Sequence, residues 1–297
     1  MNSMVQPNDR GYVVITPVRD EADHINKTID SMARQTVPPR KWIIVNDGST
    51  DRTPQIIDSA SREYPWIHVI HRSNRGFRKS GGGVVEAFYE GYSAIGPLSW
   101  TFLVKLDGDM SFDNDYFEEC FERFAHDPRL GIGGGTILTL EHGQLKNDSP
   151  SDPPFHVRGA TKIYRRKCWE QISPLVVAPG WDTIDEVRAN MHGWGTRTFP
   201  DIELIQHKAT GYADGSWRNW YKNGLANYIA GYHPLFMLAK CFKRALKKPF
   251  FVASTALWMG FCVGYVKQVP RVADKETIRY LRGQQVRRLL LRPSIYG

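Results

Sequence analysis

Cysteine is scarce in this chain: Cys120, Cys168, Cys241 and Cys262 are the only four in 297 residues, and none forms a Cys-x-x-Cys pair. Such spacing argues against a disulfide framework and predicts reduced thiols in a cytoplasmic protein. The opening residues MNSMVQPNDRGY lack the apolar core of a secretory leader, which again predicts a cytoplasmic catalytic part. There is no internal repeat and no low-complexity segment. A clear membrane span is missing too. The uncharged run Pro249–Val266 has 18 residues. As a helix it rises about 27 Å at ~1.5 Å per residue, short of a ~30 Å hydrocarbon core. Lys247 and Lys248 precede it, and Lys267 and Arg271 follow it. Positive charge at both ends favours keeping both on the cytoplasmic side, so the run predicts a re-entrant or in-plane segment.

What is present suits a folded enzyme. The chain is 41% hydrophobic and 24% charged, enough for one large α/β domain with an appendage. The net charge of +8 is unevenly spread. From Gly211 onward there are 15 Lys+Arg against 3 Asp+Glu, a balance of +12; residues 1–210 hold 24 against 28, a balance of −4. A basic tail suits nucleic acid or an anionic membrane. Here the charge lies beside an apolar run and no groove-binding motif, so a membrane surface is expected and nucleic acid is not. Residues 234–248 are amphipathic. Leu235, Leu238, Phe242 and Leu246 face one way, and Lys240, Lys243, Arg244 and Lys247 the other, predicting lysines turned to anionic headgroups.

Strand-like and helix-like stretches alternate through the first half. Tyr12–Thr16, Lys41–Val45, Trp66–Ile70 and Trp100–Leu106 read as strands. Between them lie a helical spacing over 23–34, a helix carrying Ile56 and Ile57 with Ser49 or Asp51 as N-cap, and a helix opened by Gly81-Gly82-Gly83. Repeated βα units predict a mostly parallel sheet covered on both faces, with ligands at the carboxyl ends of its strands. Asp20, Asp47, Asp107 and Asp109 all fall just past a predicted strand end. Asp107-Gly-Asp109 is the most informative group, because two hard oxygen ligands in a short turn suit a Mg2+ or Mn2+ ion that also holds phosphates. The polar, proline-rich residues 141–158 predict a long loop over the site.

Five segments in order, VVITPVRDE (13–21), IIVNDGSTDRT (43–53), NRGFRKSGGG (74–83), LDGDM (106–110) and GWDTIDEVRANMHGWG (180–195), give the chain its resemblance to the inverting family 2 glycosyltransferases of bacterial type. The resemblance covers roughly residues 11–210. It implies the GT-A fold, a Rossmann-like nucleotide-sugar-binding α/β domain over 1–210, followed by a helical, basic and hydrophobic extension over 211–297. It implies that Pro17, Asp20, Glu21 and Asp47 line the nucleoside site, and that Arg75, Arg78 and Lys79 meet the diphosphate at a helix start. It implies that Asp107 and Asp109, with His207 downstream, hold Mn2+ or Mg2+. The family's base is the Asp of a Glu-Asp pair, followed by an arginine and a glycine-aromatic step. That spacing falls on Trp181-Asp182, Arg188 and Gly193-Trp194, with Trp181 in place of the Glu. Asp185 and Glu186 are rivals one helical turn on.

The implied activity is inverting transfer of a sugar from a nucleotide sugar to a hydroxyl of a glycan or of a polyprenyl- or other lipid-linked acceptor. The setting would be surface-polysaccharide or glycolipid assembly on the cytoplasmic face of the plasma membrane. The Gln-x-x-Arg-Trp motif of the family's processive synthases is missing, which predicts one sugar per encounter. Two alternatives remain. A sugar-phosphate nucleotidyltransferase needs a glycine- and lysine-rich loop after the first strand, where this chain has PVRDEAD. A noncatalytic nucleotide-binding module at a membrane would have no use for the metal and base candidates kept here.

Overall fold

The computed structural model describes residues 10–76, 81–141, 143–208, 215–246 and 250–297. Four strands, β1 (Tyr12–Val18), β2 (Lys41–Asn46), β3 (Ile67–His71) and β4 (Phe102–Leu106), lie parallel in the order β3-β2-β1-β4. Their crossovers are α1 (Ile25–Ala33), α2 (Thr53–Glu63) and α3 (Gly82–Ser93). The apolar runs are continuous because both sheet faces are covered. Tyr12, Val14, Trp42 and Ile44 point to the face packed by α1, α2 and α4 (Tyr116–His126). Their neighbours Val13, Ile15, Ile43 and Val45 point to the face packed by α3 and α5 (Arg166–Ile172). Each such large side chain contributes about 1.5–3 kcal/mol by burial.

The parallel arrangement read from the βα repeats covers this half. Beyond β4 the sheet is mixed. β8 (Thr161–Arg165) pairs antiparallel with β4 and with β6 (Leu130–Glu141); β9 (Gly195–Gln206) runs parallel to β6, and β5 (Met110–Phe112) antiparallel to β9. Among the described residues no helix connects β6 to β8, and without a crossover the chain returns antiparallel. The expected loop over 141–158 is in part a strand: β7 (Gln144–Asn147) hairpins onto β6, and the chain then returns through His156 to the sheet.

The helix α6 (Trp181–Met191) links the sheet to α7 (Gly215–Ile229), α8 (Pro234–Ala245), α9 (Val252–Val266) and α10 (Lys275–Leu289). Ile184 and Val187 of α6 share a core with Tyr228, Met237, Phe261 and Leu281 of these helices. α7 and α9 touch backbone to backbone. A Cβ on Gly224 would collide with the Leu257 carbonyl, and one on Gly260 with the Tyr221 carbonyl. The apolar run is thus a packed helix rather than a re-entrant segment, with Ala253, Ala256, Leu257 and Phe261 buried. Among the described residues no helix is long and apolar enough to cross a membrane.

The amphipathic stretch is also turned the other way from the expectation. Lys240 lies over the Tyr232 ring (5.2 Å) and Arg244 over Trp220 (4.6 Å), on the packed side, while the apolar stripe faces out. Aromatic faces attract the two cations inward. Lys247 lies outside the described residues.

Candidate active site

The parallel register sets Val18 beside Asn46, so the segments after β1 and β2 leave the sheet together. Asp47 donates its N–H to the Val18 carbonyl (2.8 Å), and its carboxylate accepts from the guanidiniums of Arg72 and Arg75. Arg19 braces the same loop, donating to the Asp47 carbonyl (3.0 Å) and to Asn74 Oδ1 (3.0 Å). Asp20 sits at φ +54°, an uncommon value outside glycine. Its carboxylate accepts from the Thr50 N–H (2.7 Å) and its own N–H donates to the Ser49 hydroxyl (3.0 Å), tying two loops. Glu21 accepts from Lys208 (2.9 Å). Pro17 lies in β1 opposite Val45. Arg75 is therefore at the strand-end edge with Asp47, whereas Arg78 and Lys79 lie outside the described residues.

Asp107 and Asp109 follow β4 at the same edge. The glycine between them has no room for a side chain: a Cβ on Gly108 would stand 2.6 Å from Val18 Cγ1. Glycine here permits the close packing of the turn against β1. The buried Lys105 ammonium pairs with Asp107. Asp109 is 4% exposed and accepts from the Gln206 amide (3.1 Å). Burial, then the Asp107 and Glu21 carboxylates, push Asp109 up to about 7. A knot of carboxylates that repel one another suits a hard divalent cation held by Asp107 and Asp109.

His207 meets this turn through its backbone, its N–H donating to the Asp109 carbonyl (2.9 Å). Its ring nitrogens lie against Ser111 Oγ (2.8 Å) and Lys27 Nζ (3.2 Å). Burial, Lys27 and His24 hold His207 below its usual range, in the neutral form that can ligate a metal. The expected trio is nonetheless not assembled. Among the described residues no three His, Cys, Asp or Glu side chains form a metal-ligating group.

On the other side stands α6. A Cβ on Gly159 would lie 3.3 Å from Asp182 Oδ2, and the next residue, Ala160, accepts the Asp107 N–H (2.8 Å). One stretch of backbone therefore separates Asp182 from the carboxylate pair. Asp182 is partly exposed. Burial would raise it, but His156, Lys162 and Arg158 outweigh that and hold its carboxyl below the usual range.

Asp185 is different. It is 1% exposed and accepts from Lys162 (2.8 and 3.0 Å) and the Tyr164 hydroxyl (2.6 Å). Glu186, also buried, accepts from Lys162 (2.8 Å), the Val157 N–H (2.7 Å) and His156 (2.8 Å). The candidate Asp185 thus supports the floor of the site and is walled off from any acceptor. Arg188 turns away, binding the Pro174 carbonyl (2.6 Å) and Asp274 (3.1 Å) of the segment before α10.

Arg72, Lys105, His156, Lys162 and Tyr164 were not read from the sequence. For the two lysines a signal exists. Each sits inside a strand buried on both faces, where an ammonium needs a carboxylate partner. Trp181, which replaces the Glu expected before the base, packs its ring against both ammoniums, 5.8 Å from Lys105 and 5.4 Å from Lys162.

Residues 13–164, just over half the chain, match the model of the family described as glycosyl transferase family 2. A poly-beta-1,6-N-acetyl-D-glucosamine synthase of Staphylococcus aureus is 28% identical over 147 residues, which cover 46% of this chain and 33% of that protein. A chondroitin synthase of Pasteurella multocida is 28% identical over 117 residues, covering 39% of this chain and 11% of that protein. The match thus takes in at most about a third of these relatives' length.

Among solved structures, the mannosyltransferase PcManGT from Pyrobaculum calidifontis, in complex with GDP-Man and Mn2+, aligns with a TM-score of 0.60 at 18% identity. The alignment covers 89% of both chains. S. aureus TarS 1-349 with UDP-GlcNAc aligns with a TM-score of 0.51 at 14% identity, covering 93% of this chain and 81% of that one. At such identities the likeness carries the fold alone, and it is the GT-A fold expected from the motifs.

Proposed function

Because this chain belongs to glycosyl transferase family 2, as the match across half its length shows, we propose that it moves a sugar from a nucleoside diphosphate sugar to an acceptor hydroxyl, with inversion. The observation that carries this reading is the meeting of three groups at one sheet edge: Asp47 with its arginines, the Asp107/Asp109 pair, and the ionised Asp182 one backbone segment away.

In this reading Asp47 accepts from the nucleoside, with Asp20, Glu21 and Pro17 shaping its loop, while Arg75 meets the diphosphate, a role the motif gives also to Arg78 and Lys79. Asp107 and Asp109 hold a Mn2+ or Mg2+ ion, with His207 able to join once it leaves Ser111. When bound, the ion neutralises charge on the departing diphosphate. Mn2+ in the PcManGT complex supports a divalent ion on this fold. Asp182, kept ionised by His156, Lys162 and Arg158, takes the acceptor's proton as its oxygen attacks the anomeric carbon. The bond to the diphosphate breaks in the same displacement, and its electrons leave on the diphosphate oxygen.

Residues 1–210 would form the catalytic unit and 211–297 an appended helical unit. The named activities of the relatives support a role in polysaccharide assembly; the surface-polysaccharide or glycolipid setting, one sugar per encounter and a glycan or lipid-linked acceptor at the cytoplasmic membrane surface belong to the reading of the sequence motifs.

The test is hydrolysis and transfer with a panel of nucleotide sugars and Mn2+, for wild type and Asp182→Asn, with donor binding followed by calorimetry. Asp182→Asn should bind donor as wild type does and transfer nothing, as expected for an interaction used only in the transition state. Normal transfer by Asp182→Asn, or no turnover of any nucleotide sugar by wild type, refutes the assignment.

A further inference from the structure

A helix packed on a protein in water normally turns its apolar face inward. α8 does the reverse. Leu235 is 62% exposed, Leu238 53%, Phe242 72% and Leu246 64%, and the turn into α9 continues the patch with Phe250 at 52% and Phe251 at 68%. The three α8 positions and Leu246 at its C-terminal cap are spaced three or four apart and so form one stripe. α9 adds Val252, Met259 and Val266, seven residues apart on its outer side, at 45%, 51% and 81%.

We infer that the outward stripes of α8 and α9 are a docking surface that lies in the interface of an anionic lipid bilayer. The inference deepens the membrane setting of the proposed function and rests on that part of it alone, not on the transfer chemistry.

Charge selects the occupant. From Gly215 to Ala273 the chain has no Asp or Glu and nine Lys+Arg, of which Lys240, Arg244 and Arg271 are held over aromatic rings. Lys243 stands exposed at the rim of the stripe, beside Phe242. An apolar stripe inside a purely cationic segment complements acyl chains beneath anionic headgroups, where each nearby Lys or Arg adds about 1 kcal/mol. A second copy of this chain fits poorly, since a two-fold contact sets the same cations against each other. The geometry excludes a span. No described helix is long enough, and α9 is fixed against α7 through Gly224 and Gly260. The helices therefore lie along the surface, held by α7 and by the α6 core, with the Asp182 end of α6 in the same body.

The test uses the full chain and sedimentation with vesicles of phosphatidylcholine alone or mixed equally with phosphatidylglycerol. Wild type should sediment with the mixed vesicles and little with the neutral ones. Leu238→Glu/Phe242→Glu, at exposed positions, should keep its circular dichroism and donor hydrolysis but lose vesicle partition by roughly tenfold or more. Leu145→Glu, an exposed apolar site on β7, should bind as wild type. If the double variant partitions like wild type, or no more weakly than Leu145→Glu, this face is not the docking surface although the membrane setting stands. If wild type ignores both vesicles, the docking surface and the membrane setting both fail. Sedimentation velocity then shows whether a second copy covers the stripe. Donor hydrolysis without lipid separates either failure from that of the transferase reading.

Discussion

Raising the pH should unfasten the floor of the site, and His156 sets the size of the effect. Its side chain is 13% exposed, 2.8 Å from Glu186 and 3.9 Å from Asp152. Burial works against its charge, but Glu186 first, then Asp182 and Asp152, outweigh burial and push the imidazole up to about 9. An unfolded histidine titrates near ~6.5. A raised folded value means that the imidazolium stabilises the native state fully below pH ~6.5. That contribution is lost as the pH climbs from there through about 9. At ~1.4 kcal/mol per unit the span is worth roughly 3 kcal/mol.

Guanidinium unfolding followed by tryptophan fluorescence, at a series of pH values from about 6 to about 10, should show wild type losing that much relative to His156→Gln. The variant should be the weaker protein at the acid end and nearly equal at the alkaline end. Taking the difference removes titrations common to both proteins. Parallel curves would refute the claim that His156 is charged in the folded chain. They would also weaken the account of how Asp182 is kept ionised, since His156 is the leading cation acting on it.

Three further outcomes follow from the same geometry. Lys162→Met should cost about 3–5 kcal/mol, because it strands Asp185 without a cation and leaves Glu186 with His156 alone, and adding Asp185→Asn should recover part of that loss in the same unfolding assay; full additivity of the two changes would deny the pairing. Asp109→Asn should abolish metal-dependent turnover and weaken Mn2+ binding by calorimetry, yet stabilise the metal-free protein by on the order of a few kcal/mol above pH ~7, since its raised carboxyl costs stability once ionised; the gain should vanish below pH ~4, and metal-independent turnover in EDTA would overturn the site. Asp47→Ala should lower donor affinity by about 10- to 100-fold, about 1.4–2.8 kcal/mol, with the fold retained, and unchanged affinity would move the nucleoside elsewhere.

The strand-end edge was legible because β1, β2 and β4 are mainly apolar runs, each followed within two residues by an acid. A parallel sheet brings such ends together whatever follows. The choice between Asp182 and Asp185 was not legible. Three residues apart on one helix, they share a face, and spacing treats them alike. Lys162 and Tyr164, on a strand some twenty residues earlier in the chain, separate the two by binding the buried Asp185 and leaving Asp182 partly exposed, which supports Asp182 as the proposed base.

The orientation of α8 shows the same limit. Its pattern names two faces, but Tyr232 and Trp220, on other segments, draw Lys240 and Arg244 inward and turn the leucines out. In both cases the missing information is the partner of a cation. Lys105 and Lys162 are the places where that partner could have been sought. A lysine flanked by apolar residues in a doubly covered strand has no route to water, so a carboxylate must lie within reach. Lys105 finds Asp107 of the metal pair, and Lys162 finds the acids beneath Asp182. The two lysines are cross-strand neighbours on one face of the sheet, and the Trp181 ring packs against both ammoniums. The ring at the position of the family's glutamate therefore joins the supports of the Asp107/Asp109 pair to those of Asp182, the proposed base, and a change at Trp181 should disturb both together.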